Sequence, residues 1–323
     1  MGSFGSVYFG LNKDTGEVMA VKQVQISNIN EINTLKRVKA LEMEIEILSR
    51  FQHVNIARYI GSSIEEGYFN IFLEYEGGGS IAKLIARYGK FKENLVRLYS
   101  KQILEGLEYL HVHNVIHRDI KGANVLVNCN GICKLADFGG AKKIYHKENR
   151  LHSSINGTPY WMAPEVIMQT GYGRQADIWS FGCTIIEMAT GKPPWSECKN
   201  AFAAFFFIGQ TIDPPQYPDE FSEEGKDFLN LIFKRDPKER ANVRVLLNHP
   251  FITTKLDNGK KIKLNDSRKC STVSEWSSLI QCNNLSRDLS QASKRYTTNE
   301  KSKIEYNSIA NEDEDKKPYV CIK

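Results

Sequence analysis

Residues 117–124 read His-Arg-Asp-Ile-Lys-Gly-Ala-Asn, and this octapeptide is the most informative segment of the chain. It places an acid (Asp119), a cation (Lys121) and an amide (Asn124) close together after a predicted helix. A carboxylate can accept the proton of an acceptor hydroxyl, a lysine can neutralise a transferring phosphoryl group, and an amide oxygen can complete Mg²⁺ coordination. A solvated loop would rarely hold these residue types in this order, so the segment predicts a phosphoryl-transfer site.

Asp137-Phe138-Gly139 supplies a second acid after a short predicted hairpin. The strands Val125–Val127 and Lys134–Ala136 flank the turn residues Cys129–Gly131. An acid in a tight glycine turn after a strand can hold Mg²⁺ against phosphates. Asp-Phe-Gly alone is common as a turn, but its position after the octapeptide favours a role in the same site.

Glycines near the start of the chain form a third cluster. Gly2-Ser3-Phe4-Gly5-Ser6-Val7 leads through the turn-forming residues 12–16 to a second β-prone run that ends at Lys22. Glycine lets a backbone approach phosphates closely, and a lysine on the next strand can hold them. On its own this pattern is weak, because glycines in a hairpin are usually turn residues.

The fourth cluster is Gly157-Thr158-Pro159-Tyr160-Trp161-Met162-Ala163-Pro164-Glu165. A long polar segment lies between Asp137 and this cluster, and it contains Ser153 and Ser154. Such a segment, fixed at both ends, suits an order–disorder switch controlled by phosphorylation. We predict Ser154, Thr158 and Ser153 as the candidate phosphorylation sites.

Composition bounds the remaining possibilities. The 323 residues are 41% hydrophobic and 25% charged, which excludes a wholly disordered or fibrous chain. The net charge of +5 is too small to argue for a nucleic-acid partner. The seven cysteines are scattered without paired spacing, which predicts reduced thiols in a cytosolic or nuclear protein rather than a zinc or disulfide framework; of the two locations we predict the cytoplasm.

Two segments have unusual composition. The most apolar run, residues 201–208, is far shorter than the roughly 20 residues of a membrane span, so we expect no span. Its phenylalanines predict either core packing or an exposed surface for docking protein substrates. From residue 253 to 323 the chain becomes polar with little apolar periodicity, which predicts a disordered tail.

Over residues 1–252 the chain resembles a eukaryotic protein kinase of the serine/threonine type. The resemblance rests on the glycine-rich loop, the strand lysine, the octapeptide, Asp-Phe-Gly and Ala-Pro-Glu. It implies an α+β, two-lobed protein-kinase-like fold, with a small β-rich N-lobe over about residues 1–76 and a large helical C-lobe over about 77–252. The glycine pattern begins at its second glycine, so we expect the first N-lobe strand to be missing and a sheet edge to be exposed.

The resemblance also implies individual roles. Asp119 would be the catalytic base and Lys121 the catalytic cation, while Asn124 and Asp137 would bind Mg²⁺. The residues implied in ATP binding are Gly2, Gly5, Val7, Ala20, Lys22, Glu44, Leu73, Glu74, Glu76 and Leu126. The residues with implied structural roles are His117, Phe138, Glu165, Asp177 and Arg240.

Finer features narrow the resemblance. Ala20–Val24, residues 117–124 and Cys183–Trp195 together are similar to MAP kinase kinase kinases. This similarity implies ATP and Mg²⁺ as ligands and a MAP kinase kinase as the protein substrate. Two alternatives stay open: a PAK-like or germinal-centre-like kinase, and a pseudokinase or scaffold that binds ATP weakly because its glycine loop is truncated.

Overall fold

A computed structural model describes residues 5–26, 38–39, 41–43, 45–46, 48–143, 159–171, 173–254 and 319–322. The chain divides into two units. The β unit comprises Met1–His53, Ala57–Gly77 and Gln281–Lys323, and the helical unit comprises Val54–Ile56 and Gly78–Ile280. The N-terminal part of this division ends at Gly77, with residues 54–56 assigned to the helical unit.

Nine strands are described. In chain order they are β1 (Ser6–Asn12), β2 (Val18–Gln25), β3 (Tyr59–Glu65), β4 (Tyr68–Glu74), β5 (Val115–Ile116), β6 (Val125–Val127), β7 (Cys133–Leu135), β8 (Lys142–Lys143) and β9 (Tyr319–Ile322). The β unit holds one five-stranded sheet in the order β3-β4-β2-β1-β9. The helical unit holds the two-stranded pairs β5-β8 and β6-β7.

The described chain has eight helices with named bounds. They are α1 (Ile81–Tyr88), α2 (Glu93–Val112), α3 (Pro164–Ile167), α4 (Arg174–Thr190), α5 (Ala201–Gln210), α6 (Glu223–Ile232), α7 (Val243–Leu247) and α8 (Pro250–Thr253). Helical residues are also described between positions 38 and 48, where Leu41, Ile45 and Leu48 recur at helical spacing. Among the described residues, no helix is both long and apolar enough to cross a bilayer.

The sheet of the β unit is built on local turn chemistry and a buried central strand. The Oδ1 atom of Asn12 accepts hydrogen bonds from the backbone amides of Asp14 and Thr15, which closes the turn between β1 and β2. On β2, Val21 and Val24 are almost fully buried. Val24 packs in one core cluster with residues of β4 and with Leu41 of the partly described helix.

Strand β9 differs from the sequence prediction. The sequence predicts an open edge on β1 and a disordered tail, whereas β9 pairs with β1 in parallel, from Phe9 opposite Tyr319 to Asn12 opposite Ile322. The unpaired backbone groups of an edge strand favour such an addition, and Tyr-Val-Cys-Ile is rich in β-prone residues. The rest of the predicted tail, residues 255–318 and 323, lies outside the described residues.

Helix α4 is the core of the helical unit. Every residue from Ala176 to Ala189 is buried, including the charged Asp177 and Glu187. Such a helix has no solvated face, so its polar side chains must find partners among the segments packed around it.

Helix α5 contains the apolar run and exposes most of its aromatic residues. Only Ala204 and Ile208 are buried on this helix. Phe202 is 73% exposed, and Phe206 and Phe207 are about half exposed. The alternative that the run is mainly core is therefore wrong for these three side chains. We call Phe202, Phe206 and Phe207 the aromatic face.

Candidate active site

The predicted catalytic segment follows β5 directly. Strand β5 pairs with β8, and residues 117–121 then lead into a 3₁₀ turn over Gly122–Asn124 and into β6. Short strands at both ends fix the backbone of the segment. Its polar side chains are thereby held on a rigid part of the helical unit.

Asp119, Lys121 and Asn124 form one hydrogen-bonded group. The Nζ atom of Lys121 lies 3.0 Å from Oδ1 and 2.7 Å from Oδ2 of Asp119. The Nδ2 atom of Asn124 donates to the backbone oxygen of Asp119 at 2.8 Å and to its Oδ2 at 2.7 Å. The carboxylate of Asp119 is therefore oriented by a cation and an amide, and it remains about a quarter exposed.

The β6-β7 hairpin brings Asp137 towards this group. The backbone amide of Ala136 donates to the backbone oxygen of Asn124 at 2.9 Å, which extends the register of Val125 opposite Leu135. Asp137 follows at once, with φ of 61° in the left-handed region. Such a backbone is uncommon for a residue other than glycine and often marks a functional position.

His117 is a fully buried, neutral base beside three acids. Its Nδ1 accepts from the amide of Asp119 at 3.3 Å, so its Nε2 carries the proton and donates to the Ala136 oxygen at 3.1 Å. Burial lowers the pKa of His117, although the charges of Asp177, Asp119 and Asp137 oppose that shift. The ring lies 4.9 Å from that of Phe138, which makes it a packing residue of the loop.

Asp177 fixes the backbone in front of Asp119. Its Oδ2 accepts from the His117 amide and from Nε2 of His111, and its Oδ1 accepts from the Arg118 amide, each at 2.9 Å. Burial alone would raise the pKa of Asp177, but the hydrogen bond and charge of His111, with the Arg118 amide, hold that pKa below its usual range. The loop is thus tied to α4 through an ionised carboxylate.

Glu165 and Arg240 form a buried bidentate ion pair. Their Nη1–Oε1 and Nη2–Oε2 distances are 2.7 and 3.1 Å. Arg240 also donates to the backbone oxygen of Gln175 and lies over the ring of Trp179. The pair therefore joins α3 to the segment before α7.

Several residues implied in ATP binding share one face of the sheet in the β unit. Val7 lies opposite Lys22 between β1 and β2, and Ala20 lies opposite Leu73 between β2 and β4. Directly paired residues and residues two apart along a strand point to the same side. Lys22 is buried on this face, close in register to the apolar cluster of Val24.

The other implied residues are placed as follows. Gly5 precedes β1 with φ of 136°, and an added Cβ would collide with the backbone of Gln23. Glu74 ends β4, Glu76 is buried after it, and Leu126 lies on β6 in the helical unit, where it bridges Ser80. The predicted residues Gly2, Glu44, Ser153, Ser154 and Thr158 lie outside the described residues.

Sequence reasoning missed two residues that support the site. Glu187 of α4 accepts hydrogen bonds from the Gly122 amide at 2.8 Å and from Nε1 of Trp161 at 3.1 Å. The backbone oxygen of Asn55 accepts a hydrogen bond from the amide of Leu135 in β7 at 2.9 Å, and its Nδ2 donates to the Cys133 oxygen at 2.9 Å. For Glu187 the only local indication of such a role was an isolated acid in an otherwise apolar helical segment. For Asn55 there was no local indication in the sequence.

The donor set fits a magnesium ion better than a transition metal. Asp137 and Asn124 offer carboxylate and amide oxygens, which are hard ligands suited to Mg²⁺ when substrate phosphates complete the coordination. Their segments are adjacent through the Ala136–Asn124 hydrogen bond. Among the described residues, no three His, Cys, Asp or Glu side chains cluster as a metal-binding group.

Comparison with known proteins identifies the family. A family model described as "Protein kinase domain" matches residues 1–252. The chain belongs to the protein kinase family. This confirms the family and the α+β kinase fold that the resemblance implies.

Similar curated proteins are MAP kinase kinase kinases. The kinase chain is 51% identical over 258 residues to mitogen-activated protein kinase kinase kinase A of Dictyostelium discoideum, covering 80% of the chain and 27% of that protein. It is 49% identical over 257 residues to mitogen-activated protein kinase kinase kinase 3 of Arabidopsis thaliana, covering 79% and 40%. It is 45% identical over 258 residues to mitogen-activated protein kinase kinase kinase 19 of Homo sapiens, covering 78% of the chain and 19% of that protein.

The kinase chain thus spans 40% or less of the length of these three relatives. Their identities confirm the predicted resemblance to MAP kinase kinase kinases. The PAK-like, germinal-centre-like and pseudokinase alternatives are not favoured by these relatives.

Proposed function

We propose that the chain transfers the γ-phosphoryl group of ATP to a serine or threonine of a protein substrate. The observation that carries the proposal is the Asp119 carboxylate, fixed by Lys121 and Asn124 at 2.7–3.0 Å. This arrangement supplies a proton acceptor and a cation within one small group. The kinase family supports ATP as the phosphoryl donor.

Asp119 and Lys121 have distinct roles in the proposed step. Asp119 orients the acceptor hydroxyl and takes its proton as the bond from that oxygen to the γ-phosphorus forms. The bond from the γ-phosphorus to the bridging oxygen breaks, and ADP leaves. Lys121, already within hydrogen-bond distance of Asp119, neutralises charge on the transferring phosphoryl group.

Asn124 and Asp137 are proposed to hold Mg²⁺ through their side-chain oxygens. When bound, the ion would neutralise charge on the phosphates of ATP. The hydrogen bond from Nδ2 of Asn124 to Asp119 leaves the amide oxygen as its ligand atom. In the β unit, Lys22 is proposed to hold the phosphates. Gly2, Gly5, Val7, Ala20, Glu44, Leu73, Glu74, Glu76 and Leu126 remain the proposed ATP-binding set.

The proposed substrate is a MAP kinase kinase. The relatives are named mitogen-activated protein kinase kinase kinases, which describes kinases whose substrate is a MAP kinase kinase. The exposed aromatic face also supports a polypeptide substrate over a small molecule, because such a patch commonly binds protein. Regulation by phosphorylation at Ser154, Thr158 or Ser153 and a cytoplasmic location are further proposals, the second supported by the free cysteines Cys129, Cys133, Cys183 and Cys198.

A phosphate-transfer assay tests the proposal. The chain is incubated with radiolabelled ATP, Mg²⁺ and a catalytically dead MAP kinase kinase, and it is compared with Asp119→Asn. Loss of a general base predicts a kcat lower by about 10²–10⁴-fold. The variant should unfold at nearly the same denaturant concentration as the original chain. Equal activity of the two would refute the role of Asp119, and inactivity of both would favour the pseudokinase alternative.

A further inference from the structure

Glu187 is a buried acid whose partners lie in two different segments. Its side chain is 7% exposed on a helix that is buried throughout its central part. A buried carboxylate is costly unless its oxygens are hydrogen-bonded, and both donors here reach the same atom, Oε2. Burial raises the pKa of Glu187, against the opposing effects of these donors and of Lys121.

The first donor belongs to the catalytic loop. Gly122 gives its backbone amide to Oε2 at 2.8 Å, and the preceding residue is Lys121. The Gly122 amide is joined by the peptide bond to Lys121, so its position fixes the backbone of Lys121. The Nζ atom of that lysine in turn contacts Asp119. By binding the Gly122 amide, Glu187 therefore helps to position the neighbouring residue, Lys121.

The second donor belongs to the turn Pro159–Trp161, before the Ala-Pro-Glu sequence. The Nε1 atom of Trp161 donates to Oε2 at 3.1 Å. The same turn is held by Ser180, whose Oγ donates to the backbone oxygen of Trp161 at 2.8 Å. Oε2 is thus the atom at which this turn and the catalytic loop meet.

The fit around Glu187 also explains the residue at position 122. A Cβ added to Gly122 would lie 2.6 Å from Oε1 and 2.8 Å from Cδ of Glu187. Gly122 does not have a positive φ, so glycine is required for space and not for backbone conformation. The loop can approach Glu187 this closely only because position 122 has no side chain.

We propose that Glu187 is a positioning residue that holds Lys121 in its catalytic place and makes this place depend on Trp161. The inference rests on the proposed kinase function. If the turn at Trp161 moves, Oε2 loses one of its two donors and the Gly122 amide shifts with it. Glu187 therefore acts on the rate of transfer, not on the binding of ATP.

Trp161→Phe tests this inference because it removes one N–H and keeps an aromatic ring. We expect kcat to fall about tenfold, because that is the effect of losing one hydrogen bond to a charged group. The KM for ATP should not change. Trp195→Phe is the matched control, since Trp195 is buried in the same unit and its Nε1 has no hydrogen-bond partner in the described chain. Kinetic constants are expressed per active site, so that loss of folded protein does not contribute.

A double-mutant cycle separates positioning from a structural role. Glu187→Gln keeps an acceptor oxygen, and we expect a smaller loss of kcat than in Glu187→Leu. In the Glu187→Leu background, Trp161→Phe should have little further effect, because both act through Oε2. Additive effects on kcat, or equal effects of Trp161→Phe and Trp195→Phe, would overturn the inference. Asp119→Asn in the same assay tests the kinase function separately. If the proposed function is wrong, this variant will be as active as the original chain, whereas failure of the Glu187 inference alone leaves the loss in Asp119→Asn intact.

Discussion

Asp177 accepts a hydrogen bond from the backbone amide of Arg118 at 2.9 Å, and Arg118 has φ of 71°. For a residue with a Cβ, the left-handed region costs on the order of 1–2 kcal/mol. The carboxylate of Asp177 compensates for this strain by binding two consecutive amides of the loop. The conformation immediately before Asp119 is therefore imposed by a residue of α4.

Asp177→Asn should destabilise the helical unit and slow catalysis. An amide offers one acceptor oxygen to three donors, so at least one buried N–H loses its partner, at about 1–3 kcal/mol. Urea unfolding and kcat measure the two effects. Asp219→Asn, at an exposed position, is the matched control and should change stability by less than about 0.5 kcal/mol. Equal stability of the two variants would contradict the role of Asp177.

Stability should depend on pH through His117. Its pKa is lowered in the folded protein, so below pH of about 6.5 the unfolded chain binds more protons than the folded one. Stability is therefore lost as pH falls through that value. The unfolding midpoint of His117→Phe should change less with pH than that of the original chain. The pH range to compare is 5.5 to 7.5, about one unit either side of the free-histidine pKa. An unchanged slope in His117→Phe would refute the assignment.

Breaking the ion pair of Glu165 with Arg240 should be strongly destabilising. Glu165→Gln leaves the charge of Arg240 buried without its counter-ion, which predicts a loss of about 3–5 kcal/mol in unfolding free energy. The exposed pair of Lys90 with Glu220 provides the control, since Glu220→Gln should cost less than about 1 kcal/mol. Similar losses for both glutamines, measured by denaturant unfolding, would show that the buried pair has no special importance.

The aromatic face should matter for protein substrates only. Phe206→Asp places a charge among exposed rings and should lower kcat/KM for a folded protein substrate about tenfold, the effect of losing an interface hot spot. Phosphorylation of a short peptide should not change. Val245→Asp is the control, because Val245 is similarly exposed on a different helix. Equal losses on protein and peptide would argue against docking at this face.

The proximity of the candidate catalytic residues was predictable because they are local in sequence. Asp119, Lys121 and Asn124 fall within one octapeptide, and a short hairpin brings Asp137 beside it. Backbone geometry over so few residues leaves little freedom, so residue type and spacing were sufficient. The buried pair of Glu165 with Arg240 needed the family resemblance, since no local pattern joins residues so far apart.

Other features depend on packing that spacing does not determine. Nothing near Glu187 in the sequence indicates that its carboxylate meets the Gly122 amide, because the contact is made between a helix and a distant loop. The apolar run of α5 predicted a helix with apolar surface. It did not predict that Ala204 and Ile208 would be buried and three phenylalanines exposed, since orientation is fixed by the neighbours of the helix.

The pairing of β9 with β1 has the largest sequence separation of any strand pair in the described chain. Contacts between such distant residues form after local hairpins, because the entropy of closing the intervening loop must first be overcome. Among the described strands, β9 pairs with β1 alone and over four residues, so its local opening breaks few of the described backbone hydrogen bonds. Its amides should exchange with deuterium before those of β2, and each opening leaves β1 able to accept a strand from another molecule.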